Sequence, residues 1–144
     1  MDNTKVVIFQ DFARRAKARI EERKKRRTKQ LYVSDIDMTL TIHGISDEEY
    51  AEITEMNGLS DIEKDKYLIY YVCPELQEAS RIMVEEGALT ESGRYKISDI
   101  FRSVDRVALC REILTLSGLT GETSVMDVVE KSERISERDE VKNS

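Results

Sequence analysis

The sequence predicts a mainly α-helical single domain with a small N-terminal β-hairpin and a long basic leading helix. Three observations carry this. Charged residues make up 36% of the 144-residue chain, with few aromatics and one proline. Apolar residues recur mostly at helical rather than alternating spacing. Serines followed three residues later by glutamate recur just ahead of apolar runs, as helix starts require. The length suits one domain with its own core.

The first element is a helix over 4–28. Ile8, Phe9, Phe12, Ala16 and Ile20 stand on one stripe with polar residues between them. Residues 14–29 carry ten Lys/Arg against Glu21 and Glu22, so a segment of net +8 is joined to a remainder of net −14. The second half of this helix is too charged to be buried and is expected to project. Residues 1–30 are accordingly read as a basic amphipathic helix set before a body spanning 31–135 and a flexible tail at 136–144.

A short hairpin follows. Leu31-Tyr32-Val33 and Met38-Thr39-Leu40-Thr41-Ile42 are strand formers, and Ser34-Asp35-Ile36-Asp37 supplies turn residues. Two strands alone are marginal, so the hairpin must pack on helices or pair with another chain. Ser46 and Glu49 then form a capping box, with Ile45 ahead of it placed to staple against Tyr50. That helix is predicted to run to about Asn57, stopped by Gly58. Ser60 and Glu63 repeat the cap for a helix through Tyr71 and Val72. Pro74 fits the first turn of the next helix, which Gly87 ends. Residues 90–96 read as a polar turn. Ser98-Asp99 are expected to cap a long amphipathic helix through Ile100, Val104, Val107, Ala108, Ile113 and Leu114, closing at Gly118. A further helix is expected over 127–135.

Several local motifs imitate catalytic or metal sites without the surroundings such sites need. Asp35-Ile36-Asp37-Met38-Thr39 imitates the D-x-D-G-T motif of haloacid-dehalogenase-type phosphatases. Met38 occupies the glycine position, however, and neither the later motif residues nor an alternating β/α pattern is present. Turn-forming aspartates explain the same residues. His43, the single histidine, has no nucleophile or acid at a recognisable spacing. Cys73 and Cys110 both lie in apolar surroundings and read as reduced core thiols, and one histidine without C-x-x-C offers too few zinc ligands. No catalytic residue, cofactor or metal is expected. No apolar run approaches the ~20 residues of a membrane span, and no secretory leader is evident, so a cytoplasmic protein is expected.

The basic stretch is the strongest binding signal. Lys/Arg in series gives non-specific phosphate affinity, but the body would repel a polyanion and no nucleic-acid motif accompanies it. Protein contact is therefore favoured over nucleic acid, with Arg23, Lys24, Lys25, Arg26 and Arg27 as candidate contact residues.

From Leu31 to about Ile135 the chain resembles the tail assembly chaperones of PBSX-type contractile phages and prophages. The resemblance runs in order through YVSD and LTIHGISDEEYAEI, then VCPEL with Pro74 and Leu76, then EEGA, ISDIFRSVDRVALCREILTLSG and VVEKSERI. It covers roughly two-thirds of the chain, although each motif alone is mostly helix punctuation. The basic leading helix and the Lys131-Ser132-Glu133-Arg134 ending depart from the family's pattern. The resemblance implies a non-catalytic helper that binds the long helical tape measure protein, keeps it soluble, and yields it to tail tube subunits. It also implies self-association, and an extended form made by translational frameshifting. Helix faces bearing Tyr67, Tyr70, Tyr71, Ile113 and Leu116 are further candidate contacts, each equally suited to the chain's own core. The alternative is a small nucleic-acid-binding or regulatory protein that uses residues 14–29.

Overall fold

In the computed structural model, which describes residues 3–129, eight elements follow one another. They are α1 (Asn3–Lys24), β1 (Thr28–Val33), β2 (Met38–His43), α2 (Asp47–Thr54), α3 (Asp61–Tyr71), α4 (Pro74–Glu85), a 3-10 helix (Arg94–Ile100) and α5 (Ser103–Leu116). The architecture is mainly helical with one small antiparallel hairpin, as the sequence predicts. The expected segment 130–135 and the tail 136–144 lie outside the described residues.

The hairpin pairs Leu31 with Leu40 and Lys29 with Ile42. Leu40 and Ile42 are fully buried, so one face sits on the helices while the other, with Tyr32 and Thr39, faces solvent. Asp37 closes the turn at φ 49°, a conformation that aspartate tolerates better than most residues, and its carboxylate accepts the Tyr32 hydroxyl at 2.6 Å. α3 is the centre of the body. It packs against α2, α4, α5 and the 3-10 helix, and its Ile69 joins Leu76, Ile113, Val72 and Cys73 in the core.

Both predicted capping boxes form. The Ser46 hydroxyl accepts the Glu49 amide while the Glu49 carboxylate accepts the Ser46 amide, and Ser60 and Glu63 do the same for α3. Pro74 occupies the first turn of α4. Helices α4 and α5 end alike. Gly87 and Gly118 adopt φ of 77° and 74°, and the next amides, of Ala88 and Leu119, donate to Met83 and Leu114 carbonyls. This double closure satisfies the last carbonyls of each helix.

Several expectations are corrected. α2 stops at Thr54 with Glu55 as its C-cap, short of Asn57 and Gly58. The leading helix stops at Lys24, not 28, and β1 begins at Thr28, because Arg27 and Lys29 are drawn into strand bonding opposite Gly44 and Ile42. Residues 94–96 are not part of a polar turn. They open the 3-10 helix, and Tyr95 is buried with its hydroxyl donating to Glu63 at 3.0 Å. Ser98 does not cap α5, which starts at Ser103. Fully buried, it donates instead to the Lys66 carbonyl at 2.9 Å.

The stripe assigned to that helix is also turned. Leu109, Cys110 and Ile113 face the core, whereas Val104 and Val107 are 66% and 48% exposed. Apolar residues lie on two sides of α5, and contact with α3 decides which side is buried.

Candidate partner-binding surface

α1 holds the largest set of uncovered apolar side chains among the described residues. Phe9 and Phe12 are 69% and 73% exposed, and Val7, Ile8 and Ile20 are similarly bare. Burying side chains of this size is worth roughly 1.5–3 kcal/mol each, so this uncovered cluster is a candidate contact surface. Val6, Phe9, Ala13, Ala16 and Ile20 also repeat at alternating three- and four-residue spacing. That is the seam of a helix that packs along another helix. The apolar stripe of Ile8, Phe9, Phe12, Ala16 and Ile20 overlaps this seam at Phe9, Ala16 and Ile20. In the same register Asp11, Glu21 and Glu22 fall away from the seam, while Lys17, Arg19 and Lys24 flank it. The acids are tied to neighbours on their own helix. Asp11 pairs with Arg14 and Arg15, Glu22 with Arg19 at 3.3 Å, and Glu21 with Lys24 at 3.6 Å. Exposed pairs of this kind contribute little to stability. The seam thus has small residues at its centre and positive charge at its sides.

The base of α1 is anchored where the sequence placed only candidate contacts. Arg26 does not face outward alone, because its Nη2 donates to Glu49 Oε2 at 3.0 Å. The same Oε2 accepts the Tyr71 hydroxyl, and Oε1 accepts the Ser46 amide at 3.1 Å. Glu49 therefore joins the entry to the hairpin, the cap of α2 and the last turn of α3. His43 stands beside this cluster. Its Nδ1 lies 2.8 Å from the Gly44 carbonyl and 3.2 Å from Arg26 Nη1. Lys29 adds a second tie to Glu112 at 2.8 Å.

Burial by itself would raise the Glu49 pKa. The hydrogen bonds from Tyr71, the Ser46 amide and Arg26 outweigh it and hold the carboxyl at about 2. Its folded pKa is thus depressed from 4.5, and the stabilisation is present above about pH 4.5 and is lost as pH falls towards 2. Because Glu49 is largely shielded, we expect on the order of 3 kcal/mol to disappear across that window. In Glu49→Gln, urea unfolding at neutral pH should show a loss of similar size and a flatter acid limb. A variant with the wild-type acid limb would contradict the assignment.

Between α1 and the body lies an open groove of about 1020 Å³. Arg19, Ile20 and Arg23 form one wall, and Asp47, Glu48 and Leu116 the other. Arg23, Lys24, Lys25, Arg26 and Arg27 all line this groove, which brings together the five basic residues singled out from sequence. The tyrosines behave differently. Tyr67 sits 6.0–6.2 Å from Tyr70, Tyr71 and Tyr95, half-buried against the core, and Arg94 lies over Tyr70 at 5.9 Å. Ile113 is fully buried and has no surface to offer, and Leu116 is half-buried at the groove rim.

The other chemistries find no assembled centre. Asp35 and Asp37 lie in the hairpin turn, with Asp35 3.7 Å from Arg102. Burial pushes the Cys73 and Cys110 thiols up to about 11 and about 12, which makes them poor nucleophiles. Among the described residues there is no cluster of three His, Cys, Asp or Glu able to hold a metal, and no helix is long and apolar enough to cross a membrane. No protein-family model matches the chain, and no curated protein or solved structure matches it either.

Proposed function

We propose that this protein is a non-catalytic tail assembly chaperone of a phage or prophage, which captures the tape measure protein in the host cytoplasm and yields it to tail tube protein. The observation that carries the reading is α1, an exposed amphipathic helix whose apolar seam is uncovered on a body held together by other elements. A tape measure protein is a long chain of amphipathic helix whose apolar stripes aggregate when bare. A helix with a bare seam can cover part of such a stripe by helix-to-helix packing. The sequence resemblance over 31–135 supplies the biological setting. Positive charge beside the seam favours stretches of the tape measure that carry acidic flanks.

Co-expression with the tape measure protein tests this. The tape measure should become soluble and co-elute with the chaperone. If it remains insoluble and unbound, the reading fails.

One observation favours a second reading. Most of the basic side chains on residues 14–25 are exposed and none pairs with the body, which suits a phosphate backbone. A nucleic-acid-binding protein would retain DNA with affinity falling steeply as salt rises, and neutralising Arg23, Lys24 and Lys25 would flatten that slope.

A further inference from the structure

The hairpin has two edges, and among the described residues only one is closed. On β2 the Thr41 amide donates to Glu75 Oε1 at 3.0 Å, and the His43 amide donates to the Val72 carbonyl at 3.1 Å. The connection between α3 and α4 therefore seals that edge. Backbone groups alternate in an antiparallel pair, so the outward amides of Thr41 and His43 place those of Leu40 and Ile42 toward β1. Their partners are Leu31 and Lys29. The backbone groups of Gln30 and Tyr32 consequently point away from β2, and no described residue bonds them. Gln30 and Tyr32 are exposed.

Native edges of this kind are usually blunted by proline, a bulge or a charge. Thr28–Val33 contains no proline, and its single charge, Lys29, is tied to Glu112.

We propose that β1 pairs antiparallel with β1 of a second copy of this chain, giving a four-stranded sheet of order β2-β1-β1-β2. Two features select a second copy as the occupant. Each chain has one open edge in its hairpin, so two copies satisfy each other and the assembly closes as a twofold dimer instead of growing. Charge agrees as well. When outward residues face each other, Gln30 meets Gln30 and Thr28 meets Tyr32, and no like charges are opposed. The chain before β1, Arg23 to Arg27, then runs beside the turn after β1 of the second copy, which carries Asp35 and Asp37. A one-step change to another allowed register keeps that juxtaposition. The β1 edge is open whatever partner α1 takes, so dimerisation and tape measure binding can fail separately.

Sedimentation equilibrium of the full chain should give twice 16.7 kDa. Gln30→Pro removes an outward amide that the hairpin itself does not use, and both copies lose it. Dimer affinity should fall roughly a hundredfold, about tenfold per lost donor, with unchanged circular dichroism. A second variant does not depend on tolerating proline. Gln30→Cys should oxidise to a covalent dimer, since facing strand residues bring Cα atoms to ~5.5 Å, within disulfide reach. The native thiols are buried and should not compete. Thr39→Cys, on the far strand, should still sediment as a dimer but form no covalent cross-link. A wild-type chain that sediments as a monomer overturns the proposal, including one whose edge is filled only by added tape measure protein. So does a Gln30→Cys chain that fails to cross-link.

Discussion

Replacing Phe9 and Phe12 together with aspartate is expected to abolish capture of the tape measure protein while leaving the folding of the body unchanged. Both rings are about seven-tenths exposed, so little among the described residues packs on them. Covering them in a complex is worth roughly 3–6 kcal/mol in all, a hundredfold or more in affinity. Placing one carboxylate on the seam at position 9 and a second beside it at position 12 adds the cost of desolvating charge against an apolar stripe. The thermal midpoint should stay within a degree or two of wild type, because surface substitutions away from packed features change stability by only ~0.5 kcal/mol. Affinity pull-down and calorimetric unfolding of the same preparation read both quantities. The parallel substitution Arg23→Ala with Lys25→Ala should have a smaller, salt-dependent effect, since rim charges steer association more than they hold a complex. If the aspartate variant still captured the tape measure at wild-type strength, α1 would be excluded as the contact.

Ile69→Ala is expected to be the most damaging single truncation in the body. Ile69 is fully buried in α3, the helix that contacts α2, α4, α5 and the 3-10 helix. Truncating a buried isoleucine costs about 2–5 kcal/mol, the removed methylenes plus the cavity they leave. Stabilities of small domains are only ~5–15 kcal/mol, so this is a large share of the total. Urea unfolding should show the midpoint falling with little change in slope. A cost below about 1 kcal/mol would mean that the elements around α3 collapse onto the gap, so that Ile69 is not the keystone its full burial implies. Val107→Ala offers the contrast. At 48% exposure on the outer side of α5, it should cost little.

Local chemistry made much of this fold legible. Ser46 with Glu49, Ser60 with Glu63, Pro74, Gly87 and Gly118 each act within one turn of chain, and each does in the structure what its residue type dictates. Elements fixed by distant contacts were harder to read. Ser98 resembles Ser46 and Ser60 as a cap, yet its hydroxyl goes to the Lys66 carbonyl, 32 residues away, and no local pattern announces that. α5 carries apolar residues on two sides, and only the position of α3 decides that Leu109 and Ile113 go in while Val104 stays out.

The candidate surface divides along the same line. The apolar stripe and charge of α1 are readable because that helix answers to no other element. The conversion of Arg26 from a surface cation into an anchor was not readable, because Glu49 and Tyr71 come from two other helices. Glu49 did carry one signal, its place in a capping box, but the box accounts for only one carboxylate oxygen. The open edge of β1 had a partial signal too, in a hairpin too small to stand alone. Which of its two edges stays free depends on Val72 and Glu75.

Hydrogen–deuterium exchange on this chain, alone and bound to the tape measure protein, tests the central claim most directly. Free α1 has an uncovered seam and should exchange quickly, and on binding its amides from about Val6 to Ile20 should become protected. Protection confined to the tyrosine-bearing α3, or absent from α1, would contradict the account and place the contact on the body instead.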